Sequence, residues 1–171
     1  MIFERGVFVA GLVRERQWDS SVPNLFDGEQ WTSREPGDLP ALKGAWLLMD
    51  IHDSDFTEVT YRPTGPGSGI AYLGFTPRVY FENESASAPT DPAREAEGLA
   101  FWWGQLHGDV SGAQVEAKAA ELTAYLAGDV EPPEDEDEDE PDRDDADVFV
   151  EVKTARFLDV LDLPAVEDLP R

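Results

Sequence analysis

The residues best placed to do chemistry lie in the run Asp50-Ile51-His52-Asp53-Ser54-Asp55. On a strand, Asp50 and His52 project from the same face. A carboxylate oxygen and an imidazole nitrogen could then meet one divalent ion, with Asp53 or Asp55 completing the set. Asp50, His52 and Asp55 are therefore the candidate metal ligands, and a carboxylate/His metal-dependent enzyme is one function class the chain leaves open. The competing reading is plainer: Asp53-Ser54-Asp55 is ordinary turn chemistry, and His52 is a polar residue at a strand end. No second spaced motif supports the site, and His107 could join it only through tertiary contact.

Other chemistries find less. The chain has no cysteine, which excludes a disulfide framework, a thiolate metal site and thiol catalysis. No serine sits in a nucleophile elbow, and Ser85 and Ser87 fall in a polar linker. The run Gly65-Pro66-Gly67-Ser68-Gly69 lacks a lysine and does not lead from a strand into a helix, so it is a glycine-rich connection and no phosphate loop. Among 37 acidic residues any carboxylate pair chosen for acid–base work is arbitrary. No cofactor is expected.

Phe101-Trp102-Trp103 spreads apolar bulk around more than half of a helix, although only one arc need face a sheet. Trp102 and Trp103 are candidate binding anchors on that ground; the alternative is that both rings fill the core.

The most conspicuous feature is charge. The formal net charge is −24, from 37 acidic and 13 basic residues. Residues 129–147 contain 13 acids and only Arg143, a net −12, so half of the charge lies in one stretch. At its centre, Glu134, Asp135, Glu136, Asp137, Glu138, Asp139 and Glu140 are candidate binding residues. Such a field repels nucleic acid and anionic membranes and attracts basic proteins. Direct nucleic-acid and membrane binding are thus excluded, a basic protein partner is expected, and a small-molecule substrate stays undefined. The plain alternatives are a solvated linker, or a trait of the whole host: 10 Arg against 3 Lys, with only 3 Ile and 2 Asn, suggests GC-rich coding of bacterial, phage or halophilic type.

The elements that must position these residues follow from pattern. Residues 3–16 form a β-branched and aromatic run, read as a strand buried on both faces. Residues 18–43, with Pro23, Gly28, Pro36, Gly37 and Pro40, read as a long connection pinned by Trp18, Phe26 and Trp31. Residues 46–52 and 56–62 alternate around the 53–55 turn, a hairpin signal, and 70–75 and 78–82 read as further strands. Asp91-Pro92 opens a helix to His107 that Gly108 ends, and Ser111 with Gln114 makes a capping box for a second helix ending near Gly128. Residues 129–147 should be disordered. Residues 148–152 read as a strand and 154–161 as a short helix, with the end unassigned.

The expectation is an α+β fold: an antiparallel meander of about five or six strands packed against a helical hairpin. Residues 1–128 form its body, 129–147 an acidic loop, and 148–171 a strand and helix docking on the same domain. With no cysteine, no signal pattern and no apolar run approaching the roughly 20 residues of a membrane span, a cytoplasmic location is expected. The leading functional expectation is a small non-catalytic acidic protein that sequesters or inhibits a basic protein, of the immunity, antitoxin or nucleic-acid-mimic kind. The second is a structural or assembly component of a phage or multi-subunit complex, in which the segment from Val148 onward adds a strand or helix to a neighbour.

Overall fold

The computed structural model describes residues 23–35, 40–130, 149–166 and 169. At its centre lie β3 (Trp46–His52) and β4 (Phe56–Arg62), paired antiparallel from Trp46↔Arg62 to His52↔Phe56. Asp53 and Ser54 adopt φ of 49° and 62°, and the Asp55 N–H donates to the His52 carbonyl at 2.9 Å. Successive left-handed residues give the reversal a twist that matches the strands it joins, and Asp and Ser accept that backbone readily.

The five-stranded antiparallel sheet has the order β2-β1-β3-β4-β5, adding β1 (Asn24–Phe26), β2 (Trp31–Ser33) and β5 (Ile70–Leu73). The chain is α+β, and β3, β4 and β5 form the expected meander. The connection over residues 18–43 departs from expectation, because it contains the β1–β2 hairpin on the other flank of β3. Three-residue strands are too short to show a period in sequence. The strand expected over residues 3–16 lies outside the described residues.

Both faces of the central pair are buried. Leu47, Met49 and Ile51 share a core with Val59, Tyr61, Ala71 and Leu73, covered by helices. The opposite face carries Leu25, Trp46 and Leu48, followed by Asp50, His52, Glu58 and Thr60, all under 9% exposed.

Four helices complete the described residues. The strand expected over 78–82 is instead α1 (Pro77–Tyr80): Thr76 caps it by accepting from the Val79 N–H, and Pro77 occupies a first-turn position where its missing N–H costs nothing. Helix α2 (Pro92–His107) starts on the Asp91 carboxylate, which accepts from the Ala93 and Arg94 N–H groups, and α3 (Gly112–Thr123) starts on the Ser111–Gln114 capping box. The strand expected over 148–152 is corrected as well, since α4 (Val150–Val160) is helical from Val150 onward. The alternation of Val150 and Val152 suggests a strand, but Val150, Thr154, Phe157, Leu158 and Leu161 bury one helical face against the sheet. Tertiary burial overrides local β-propensity. Among the described residues no helix is long and apolar enough to cross a membrane.

Candidate functional site

The structure places Asp50 and His52 on one face of β3 and Asp55 in the turn that follows. Asp50 and His52 are buried on the sheet face opposite α2, α3 and α4, 3% and 5% exposed, with Asp50 directly across from Glu58. The His52 ring packs among aromatics, with centroids 4.8 Å from Phe56, 5.3 Å from Tyr80 and 5.7 Å from Phe81. Asp55 lies in the turn, where its carboxylate accepts from the Tyr80 hydroxyl at 2.9 Å. Asp55 thereby raises the Tyr80 pKa, holding the phenol protonated as a donor. Among the described residues no group of three or more His, Asp and Glu side chains could hold a metal ion. The run occupies a strand end, a turn and an aromatic cluster.

Trp102 and Trp103 are core residues. Trp102 is fully buried and its indole N–H donates to the Trp46 carbonyl at 2.9 Å. Trp103 donates to Asp162 at 3.0 Å, with the Lys118 ammonium 4.7 Å from its ring centroid. The sheet lies on one side of α2 and α3 packs along it, so the helix buries a wide arc. The exposed aromatic of the triplet is Phe101, at 37%. The anchor role expected of Trp102 and Trp103 has no exposed ring to act through, and residues 134–140 lie outside the described residues.

What the structure adds is where the acidic stretch is rooted. On its N-terminal side, Leu126 bridges to Leu73, the Ala127 N–H donates to the Tyr72 carbonyl, and Asp129 accepts from the Thr90 N–H at 2.8 Å and meets Arg78 at 3.6 Å. On its C-terminal side, the Val150 N–H donates to the Ser54 carbonyl, the Ser54 hydroxyl donates to Glu151, and Val150 packs beside Gly74. Leu73 and Thr57 are register partners, so the C-terminal root meets the sheet at the β3–β4 turn, and the N-terminal root runs along the outer edge of the adjacent β5 to the start of α2. The turn itself carries Asp53 and Asp55, Phe81 packs beside it against His52 and Phe56, and three apolar side chains near the roots are exposed: Phe81 at 39%, Phe149 at 50% and Val130 at 81%.

The other end of the sheet has a different construction. Glu95, 1% exposed, accepts from the Tyr61 hydroxyl at 2.6 Å and from the Ser68 N–H at 3.0 Å, which fastens the 63–69 loop to α2. Gly67 and Gly98 meet backbone to backbone there; a Cβ on Gly98 would lie 2.3 Å from the Tyr61 oxygen and 2.8 Å from the Gly67 Cα. Burial first, and then the Glu95 contact, push the Tyr61 phenol far above its ordinary value of 10.0, so it serves as a fixed donor. Sequence reasoning missed this lock. Its one signal was a glutamate on the apolar arc of α2.

No protein-family model matches the chain, and no significant match joins it to a curated protein or to a solved structure.

Proposed function

We propose that the chain is a small, acidic, non-catalytic binding protein that sequesters or inhibits a basic protein partner, and that it meets the partner at the turn end of its sheet. The observation that carries the reading is where the acidic stretch is rooted. Its C-terminal end is tied to Ser54 in the 53–55 turn and its N-terminal end to the edge of the adjacent β5, and Phe81, Val130 and Phe149 are exposed on the residues that flank these roots. Dense carboxylate speeds encounter with a basic surface and selects against other partners, while exposed aromatic and aliphatic side chains supply the desolvated centre that holds a contact. Phe81 and Phe149 take the anchor role that sequence reasoning gave to Trp102 and Trp103.

The assembly reading has less support. Helix α4 docks on its own sheet, with Phe157 fully buried and the Thr154 and Thr57 hydroxyls 2.8 Å apart, so it is occupied within the chain.

The test begins with in-cell crosslinking in the host to identify a partner, followed by kinetics with both proteins purified. Replacing Glu134, Asp135, Glu136, Asp137, Glu138, Asp139 and Glu140 with the corresponding amides should slow association about tenfold at low salt and flatten its salt dependence. Phe149→Ser should leave association unchanged and speed dissociation. A partner that is not basic, or one bound equally well by both variants, would sink the proposal.

A further inference from the structure

The end of the sheet away from the acidic roots carries a groove that the proposed function does not use. It has a volume of about 340 Å³ and is lined by apolar Leu42, Ala45 and Pro63 and polar Lys43, Arg62 and Gln105. Among the described residues, no carboxylate lines it. That is notable in a chain with 37 acidic residues, where Arg78 meets Asp129, and Lys118 meets Glu121 and Asp162. Among the described residues, neither Lys43 nor Arg62 forms an ion pair.

Arg62 is also held in place. Its Nη1 donates to the Tyr61 carbonyl at 2.7 Å and the Gly69 carbonyl at 3.2 Å, and its guanidinium carbon lies 5.9 Å from the Trp46 ring centroid. Gly69 has φ of 95°, and a Cβ there would meet Arg62 Nη1 at 2.1 Å, so the position suits only glycine. A guanidinium already fixed by backbone loses little further freedom on binding an anion, and its fork carries five N–H donors, of which these bonds use those on one nitrogen. Apolar surface continues outward through Leu42, 44% exposed, and Phe101, one turn before Gln105 on α2.

We infer that this groove binds a small organic monocarboxylate with an apolar body, its head between Lys43 and Arg62 and its tail against Leu42, Ala45 and Pro63. The volume is at the small end of ligand sites. A single charge is favoured because the net −24 of the protein opposes every further negative charge on a ligand, while two local cations suffice for one carboxylate. The inference is independent of the basic-partner proposal, since it concerns the opposite end of the sheet and residues of opposite charge.

The test is an amide-resolved NMR titration of the full chain with hexanoate, and with hexanamide and hexylammonium as neutral and cationic counterparts. Hexanoate should give saturable shifts centred on Lys43, Gly44, Ala45 and Arg62, with a dissociation constant in the millimolar range expected of so few atoms. Hexanamide should bind about fivefold more weakly, and Lys43→Gln should weaken hexanoate by about the same factor. Lys43 is exposed, so that variant keeps the fold, and Lys153→Gln serves as a control that leaves affinity unchanged. Equal affinity for acid and amide, unchanged affinity in Lys43→Gln, shifts centred elsewhere, or no saturation at about 50 mM would each overturn the inference.

Discussion

The two ends of the sheet use carboxylates in opposite ways. At the loop end a single carboxylate, Glu95, is taken fully inside and holds Tyr61 and Ser68 as a lock, with Gly67 and Gly98 in backbone contact around it. In the turn itself Asp53 and Asp55 stay at or near the surface, and the joints around it are partly exposed: Tyr80 to Asp55, Ser54 to Glu151 and Arg78 to Asp129. A buried, hydrogen-bonded charge contributes to one defined geometry, whereas solvated charges mainly act on what approaches from outside. The loop end is built for rigidity and the turn end for encounter.

The harshest way to break this comparison is to remove what both ends share. Ending the chain after Gly128 deletes α4 and with it the buried Val150, Phe157, Leu158 and Leu161. Each such side chain is worth about 1.5–3 kcal/mol of burial, so the shortened protein should show no cooperative thermal transition by circular dichroism. A well-folded monomer of that length would show that the core does not depend on α4. Next comes Gly98→Ala, whose Cβ would be forced against Tyr61 and backbone; urea unfolding should report a loss of about 3 kcal/mol.

Tyr61→Phe sharpens the comparison further, because it withdraws one donor from a buried carboxylate and should cost about 1–2 kcal/mol. It also carries a pH signature. The folded Tyr61 pKa is raised, so its contribution is constant below the ordinary value of 10.0 and is lost as pH rises above it, where the unfolded chain ionises and the folded one does not. Stability measured between pH 9 and about 11 should fall less steeply in Tyr61→Phe than in the native chain. The smallest effect belongs to the turn end: Arg78→Gln removes a partly exposed pair and should change stability by about 0.5 kcal/mol or less, vanishing at high salt. A loss above 2 kcal/mol there would erase the distinction between the ends.

Long, strongly marked elements were legible in the sequence. Asp91-Pro92 with Gly108, and Ser111 with Gln114, announce α2 and α3 through capping chemistry that is local and needs no partner. The central hairpin was legible because Asp53-Ser54-Asp55 supplies the backbone freedom that a tight reversal requires. The errors came where tertiary packing decided. Val79 and Phe81 alternate like a strand until Thr76 and Pro77 start a turn of helix, and Val150 and Val152 do so until Phe157 and Leu158 draw them onto a helical face. The site was harder still. Spacing placed Asp50 and His52 on one strand face as expected, but whether that face meets water or aromatic rings depends on Tyr80 and Phe81, nearly 30 residues away. Lys43 and Arg62 come to line one groove for the same kind of reason, with no signature in either segment alone.

The non-covalent hold on α4 bears on covalent continuity. Residues up to 130 and residues from 149 onward are joined by hydrogen bonds at Ser54 and by a common core that includes Phe157, Leu161, Leu163 and Val166. α4 is therefore held on the body by contacts of its own, apart from the peptide bond path through the acidic stretch. A chain cleaved there should behave as two fragments of one molecule, copurifying until denatured, and the two halves made separately should complement each other.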